Sequence, residues 1–423
     1  MAHLGLICPE LSGHLNPMTT LGREFKRRGH RVTVIARPDA RAKTESAGLE
    51  FAGVGEKEFP VGSLVRTTAQ LGRLGGFSAI RFTAELLRQA AVTILEQASG
   101  AIERAGIDGL LVDQVTPAGD TVAEMLNLPF VSVCNALALN PDPALPPAVT
   151  SWRYRRGSIW RARNALGDAV FRWAAKPILR EVNARRIRHG LPRLVSRFSQ
   201  SACLAQIAQQ PAFFDYPREH LAATFHYTGP WHAIESGDKL DFPWEILDGR
   251  PLIYASMGTL QNRQGPIFEA IASACAELDA QLVLSLGSRD QRLEVNLAGA
   301  PVVVAFAPQL ELLRRAAVAI THAGLNTALE SLAQGVPMVA IPITNDQPGV
   351  ASRLEWLGVA KVVPPTRLTV PRLRASVRSI LSERHYRARA QQWKAEIGRA
   401  DGLKLAADIV ERAIETRQPV LRT

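Results

Sequence analysis

The 423-residue chain is poor in cysteine, and its four thiols, Cys8, Cys134, Cys203 and Cys275, stand far apart with no C-x-x-C pair. That spacing argues against a metal knot and a disulfide scaffold and fits a reducing cytosol, so a cytoplasmic protein is expected. No apolar run approaches the roughly 20 residues of a membrane helix. No G-x-G-x-x-G occurs, which leaves a nicotinamide-dinucleotide fold without its fingerprint, and no internal repeat of about 20–50 residues is evident. The sequence opens directly on an apolar strand, Leu4 to Cys8, and no leader is expected before it. What is there is ordinary for a globular protein: 47% hydrophobic and 21% charged residues, in a length that suits two domains of roughly 200 residues each.

Short apolar strands alternate with helical stretches in both halves. Strands are expected at Leu4–Cys8, Arg31–Ala36, Gly109–Val112 and Pro129–Val133, and again at Pro251–Ser256, Gln281–Leu286 and Val302–Phe306. Alternation of this kind implies two parallel sheets with ligands at the C-terminal ends of the strands. Asn16 and Pro17 read as N-cap and first residue of a helix running to Arg28, with Gly29 as its stop. The Pro-rich piece from Asn140 to Pro147 reads as an irregular loop over a pocket. The expected organisation is an N-terminal domain over 1–228, a linker over 229–250, a second domain over 251–400, and a helix within 401–423 that packs back on the first domain.

The segment from Phe306 to Gln347 is the most informative. Val318 to Thr321 is a buried strand by length and β-branching, His322 to Asn326 a turn, and Thr327 to Gln334 a helix stopped by Gly335. The next strand, Val336 to Ile341, is closed by Pro342. A His, a Gly, an Asn and a Thr thus gather at a helix N-terminus, where free N–H groups and the helix dipole attract anions. That is a seat for phosphate built without the lysine of a P-loop. Thr327 and Glu330 also spell a capping box, which needs no ligand.

These residues closely resemble the donor signature of the UDP-glycosyltransferase family, nucleotide-sugar enzymes of GT-B fold. F-A-P-Q, H-A-G-L-N-T-A-L-E, G-V-P and D-Q occur in the family's order. Phe306 and Leu325 stand where the plant branch commonly has Trp. The stretch from Tyr254 to Val350 looks most like bacterial zeaxanthin glucosyltransferases. The resemblance implies an α/β chain of two facing Rossmann-like domains with parallel sheets and a cleft between them.

It also assigns roles. His14, in S-G-H-L-N-P, matches the family's general base; read alone it is more often a turn or capping residue. Asp113, after the strand Gly109–Val112, resembles the family's dyad acid, its plain alternative being an N-cap near Pro117 or Ala118. Asp120 reads as a residue complementing the helix dipole. His322, Gly324, Asn326 and Thr327 are implied at the diphosphate, with Ser256, Gly258 and Thr259 closing from the other side and Gly13 offering an N–H across the cleft. Phe306 would stack on the base, with strand-end packing as its alternative. Gln309 falls in the base-binding position and Glu330 on the ribose. Asp346 and Gln347 would hold hexose hydroxyls, and their capacity favours glucose. No Asp-x-Asp lies near the site, so no metal and no cofactor beyond the nucleotide sugar is expected.

The net charge is +11, and residues 151–197 carry 13 Lys and Arg against Asp168 and Glu181. Solvated helices whose aromatics line an acceptor cleft are one reading, and peripheral contact with an anionic membrane is another. No recognition motif accompanies the charge, so nucleic acid is not an expected partner. The expectation is an inverting transferase moving glucose from a UDP-sugar to a hydroxyl of a small lipophilic acceptor such as a carotenoid, terpenoid or phenolic. The alternatives are a TDP-deoxysugar transferase acting on a polyketide or macrolide, and a non-catalytic nucleotide-sugar-binding helper subunit.

Overall fold

The computed structural model describes residues 1–71, 76–196, 203–231, 241–258, 265–287 and 297–422. In the first half lie β1 (His3–Ile7), β2 (Arg31–Ala36), β3 (Glu50–Gly53), β4 (Gly109–Asp113), β5 (Phe130–Cys134), β6 (Ala205–Ala208) and β7 (Phe225–Tyr227). They form one parallel sheet in the order β3-β2-β1-β4-β5-β6-β7. In the second half lie β8 (Leu252–Ser256), β9 (Gln281–Ser285), β10 (Val302–Val304), β11 (Ala316–Thr321), β12 (Met338–Ala340) and β13 (Ala360–Val362), ordered β10-β9-β8-β11-β12-β13. Strands buried on both faces explain the continuous apolar runs: every residue of β1, β4, β5 and β8 is buried. In each sheet the chain order reverses once beside the first strand, between β1 and β4 and between β8 and β11, and such a reversal opens a crevice at the strands' C-terminal ends.

Two elements depart from the sequence reading in ways that matter. The first helix runs Ser12–Arg27, one turn earlier than expected, with Leu11 as its cap and Pro17 inside it. The Leu11 carbonyl takes the N–H groups of His14 and Leu15, so the helix is nucleated before Asn16 can cap it. Proline's fixed φ is compatible with a helix, and the cost is the missing bond to the carbonyl of Gly13 together with crowding of that carbonyl by the ring. The helix after β11 starts at Leu325 rather than Thr327, with Gly324 as its cap. Thr327 and Glu330 therefore form no capping box.

The halves are tied at several points. Trp231 is buried in the core of the first sheet and Phe242 in that of the second; residues 232–240, in the middle of the expected linker, lie outside the described residues. Phe214, from the connection after β6, is buried in the second core beside Leu137, and its loss should cost about 3–5 kcal/mol. The helix Gly402–Thr416 returns to the first sheet, where Ala406, Val410, Ala413 and Ile414 join the cluster of Leu4, Leu6 and Phe25. Asp215, fully buried, bridges Arg218 of its own half and Arg353 of the other, at 2.7 and 2.8 Å. Among the described residues no helix is long and apolar enough to cross a membrane.

Candidate active site at the two switch points

His14 lies in the first turn of the Ser12–Arg27 helix, after β1, and Asp113 is the last residue of β4. These strands are neighbours, so the reversal in chain order places the two side chains together. His14 Nδ1–H donates to Asp113 Oδ2 at 2.8 Å, with side-chain exposures of 15% and 0%. Asp113 does not cap the following helix, Gly119–Met125. Its Oδ1 instead accepts from the Val115 N–H, and Oδ2 also accepts from Asn135 Nδ2 at 2.6 Å. With every contact of the carboxylate a donor, His14 is fixed in the tautomer that leaves Nε2 with a lone pair. Burial pulls the imidazole pKa down, but Asp113, with help from Asp346 and Glu10, more than offsets it, so the net shift is upward.

Gly13 and Asn326 meet across the cleft. Asn326 Nδ2 donates to the Gly13 carbonyl at 3.1 Å, and Asn326 Oδ1 accepts from Gln209 Nε2 at 2.8 Å. Asp346 faces the same space: it interacts electrostatically with His14, its Oδ2 accepts from the Leu137 N–H at 3.1 Å, and burial raises its pKa. Gln347 is turned inward, its Oε1 accepting from the N–H groups of Ile343 and Thr344.

On the second sheet Ser256, Gly258, His322 and Gly324 form a second cluster. The His322 ring is held between two glycines: a Cβ would come within 2.7 Å of it at Gly258 and 2.5 Å at Gly324. Ala323 and Asn345, each next to an expected ligand residue, adopt φ of 63° and 56°, and such strain gathers at functional sites. Burial drives the His322 pKa down to about 4, only partly countered by a bond to the Ser256 backbone, and its Nδ1 is buried with no hydrogen-bond partner. Neutral as it stands, His322 has a single N–H, which the Ser256 backbone takes, so the ring would reach an anion only by exchanging that partner or by gaining a proton at Nδ1. Thr259 lies outside the described residues.

A third group gathers around Gln309, whose Oε1 accepts from the Tyr254 hydroxyl at 2.9 Å and whose Nε2 donates to Thr327 Oγ1 at 3.3 Å and to Glu330. Burial raises the Glu330 carboxyl to about 7 despite the Gln309 bond. Phe306 lies beyond the end of β10, which stops at Val304, and is 37% exposed. It is a partly exposed apolar face rather than an inward strand residue.

Asn135, Gln209, Tyr254 and Glu10 were not singled out from sequence. The signal was available for two of them: Asn135 and Gln209 are polar residues one past the ends of β5 and β6, in a row with Asp113 at the end of β4. Taken together, a neutral ring nitrogen on a buried carboxylate faces, across one cleft, a helix N-terminus, a second histidine and two half-buried carboxyls. That arrangement can take a proton from a hydroxyl on one side and receive an anionic leaving group on the other.

A family model described as UDP-glucoronosyl and UDP-glucosyl transferase matches residues 188–394. A zeaxanthin glucosyltransferase of Pantoea ananas is 34% identical over 425 residues, covering 100% of this chain and 98% of the relative. One of Pseudescherichia vulneris is 29% identical over 431 residues, covering 99% and 100%. Among solved structures, the glycotransferase of kitacinnamycin superposes with a TM-score of 0.77 at 24% identity, covering 97% of this chain and 98% of that one. The calicheamicin glycosyltransferase CalG4 gives 0.76 at 20%, covering 99% and 100%; at these identities the likeness is one of fold.

Proposed function

The chain belongs to the UDP-glycosyltransferase family, and from that premise we propose an inverting enzyme that moves glucose from UDP-glucose to a hydroxyl of a small lipophilic acceptor. The single observation that carries the base is the His14–Asp113 pair: a 2.8 Å bond onto a carboxylate that is itself buried and held by Asn135 and the Val115 N–H. His14 Nε2 takes the proton of the acceptor hydroxyl as its oxygen bonds to the anomeric carbon. The bond from that carbon to the diphosphate breaks, its electron pair leaves with UDP, and attack from the opposite face turns an α-linked donor into a β-glycoside. Asp113 offsets the imidazolium charge as it forms.

On the donor side, Gly324, Asn326 and Thr327 at the helix N-terminus, with Gly13, Ser256, Gly258 and His322 around it, receive the diphosphate, a role the sequence motif also gives Thr259. Phe306 stacks on the uracil with Gln309 beside it, Glu330 binds the ribose, and Asp346 with Gln347 holds the hexose. Asp346 would trade its bond to the Leu137 N–H for sugar hydroxyls. A deoxysugar leaves part of that capacity unpaired, at a cost of about 1–3 kcal/mol, which is why glucose is favoured. No resident metal takes part, and EDTA should leave the rate unchanged.

The acceptor class is carried over from the named relatives: a carotenoid first, with terpenoids and phenolics as neighbours in chemistry. A second reading rests on a relative of Streptomyces fradiae, an O-mycaminosyltylonolide 6-deoxyallosyltransferase, 29% identical over 434 residues. On that reading the donor is a TDP-deoxysugar and the acceptor a macrolide.

The test is incubation with UDP-glucose and a mixed panel of hydroxylated carotenoids, terpenoids and phenolics, read by mass spectrometry for hexose addition. His14→Ala should abolish product yet keep UDP-glucose binding. Loss of both would make His14 structural and end this mechanism; product only with TDP-deoxysugars would install the second reading.

A further inference from the structure

The helix Ser158–Ala174 turns an apolar face to solvent. Ile159, Leu166, Val170 and Trp173 are 77, 67, 58 and 58% exposed. Their spacing of seven, four and three residues sets them on one stripe about four turns long, with the exposed Ala162 between. Contiguous apolar surface of this kind marks an interaction site, whereas scattered exposed residues do not. The orientation is fixed from the other side. Asn164 is buried and donates from Nδ2 to the Pro143 carbonyl at 3.2 Å, and Gly167 sits so close that a Cβ would lie 2.9 Å from both Pro147 and Trp152. The helix's acid, Asp168, lies half a turn away from the stripe and lines the small cleft under the 138–149 loop.

Charge says what the stripe meets. Several arginines of the basic segment are neutralised within the fold: Arg153 by Glu355, Arg161 by Glu219, Arg186 by Glu124. Arg155, Arg156, Lys176 and Arg180 are exposed and form no ion pair among the described residues, whereas Arg172 faces Asp168. They stand just before the stripe and at its far end, so unpaired positive charge brackets exposed apolar surface. An apolar protein partner would not call for it, whereas phosphate-bearing headgroups over acyl chains match both features.

We propose that this face docks on a membrane surface bearing anionic lipid headgroups. Ile159, Leu166, Val170 and Trp173 enter the boundary between headgroups and acyl chains, and the unpaired arginines and lysine lie against the lipid phosphates. The loop beneath the helix runs back to Leu137, whose N–H is bonded to Asp346 in the cleft. A bilayer-dissolved acceptor would therefore arrive on the side of the protein whose loop also reaches Asp346. The inference deepens the lipophilic-acceptor reading and rests on it for its purpose, but its test needs no transfer assay.

All four native cysteines are buried, so Leu166→Cys offers one accessible thiol for an environment-sensitive fluorophore, and Leu405→Cys on the helix Gly402–Thr416 serves as the control site. Vesicles of phosphatidylcholine mixed with phosphatidylglycerol should blue-shift the label at 166 and expose it to lipid-borne quenchers, leaving the label at 405 unmoved. Phosphatidylcholine alone, or high salt, should abolish the shift. Arg155→Gln, Arg156→Gln and Lys176→Gln should each weaken partitioning about fivefold. No shift with anionic vesicles overturns the proposal. So does a shift that follows protein concentration without vesicles, which would assign the stripe to a second copy of the chain. Docking without transfer to any acceptor would sink the functional reading and leave the surface standing; transfer without docking would do the reverse.

Discussion

Asn326 donates its side-chain amide to the carbonyl of Gly13, 3.1 Å away, and so joins the helix after β11 to the helix after β1. The carbonyl is free for this because residue 17, four positions on, is a proline without an N–H. Gln209 holds the other end of the same amide. A residue expected at the diphosphate is thus also a bridge between the halves.

Replacing Asn326 with Ala should therefore lower kcat/KM for the donor about tenfold or more, the worth of one or two hydrogen bonds, with little change in Tm. Asn326→Asp keeps the size but cannot donate to Gly13. Steady-state kinetics of the two variants decide the matter: an Asp variant equal to wild type would mean the bridge has no part in turnover.

The pH dependence follows from His14. Its folded pKa lies above the ordinary imidazole value, so the charged pair stabilises the fold fully below that ordinary value, and the contribution is lost as pH rises through the folded one. Transfer runs the opposite way, because the base must be neutral, and kcat/KM should rise with pH through the raised value. Asp113→Asn removes the main upward influence. The acid limb should move to lower pH as kcat falls by about 10²- to 10⁴-fold; a limb that stays put would dissociate His14 from the profile.

Glu330, raised to about 7 by burial, is half ionised near neutrality. Only the carboxylate accepts from two ribose hydroxyls, so the donor KM should climb as pH falls below 7. Glu330→Gln should give a KM raised roughly tenfold, the loss of a bond to a charged group, and flat with pH. Donor KM measured from pH 6 to 8.5 checks both, and a wild-type KM indifferent to pH would remove Glu330 from the ribose.

The Asp215 carboxyl is held down to about 2: burial alone would raise it, but Arg218 and Arg353 overcome that. A depressed carboxyl stabilises above its unfolded pKa, and that contribution is lost only as pH falls through the folded value. This triad should therefore protect the fold across the ordinary acid range. Asp215→Ala strands two buried guanidiniums and should cost about 3–5 kcal/mol in denaturant unfolding. A variant of wild-type stability would show that the bridge between the halves is dispensable.

The strands of both sheets were legible because parallel strands covered on both faces are unbroken apolar runs; Gly109 to Val112 is one, and Asp113 stands out simply by ending it. His322 and Gly324 were legible for a similar reason, being polar or small residues at a strand-to-helix turn. Asn16 misled, since Asn-Pro has the chemistry of a helix start, and only the three-dimensional path of Leu11 gave the helix an earlier nucleus. Asp215 with Arg353, and Gln209 with Asn326, were not legible at all. Each pairs residues more than a hundred positions apart in different halves of the chain, and no local periodicity carries such information.

The returning helix Gly402–Thr416 also sets an order in time. Its Ala406, Val410 and Ile414 belong to the same cluster as Leu4 and Leu6, and the Val420 N–H bonds to the Leu204 carbonyl. As the protein is made, the first sheet leaves the ribosome long before the residues that cover it. The early half must wait, part of its apolar surface bare, while the whole second sheet is translated. N-terminal-first folding can therefore finish the core of the first half only after the second is made, and chaperone demand should be greatest in that interval.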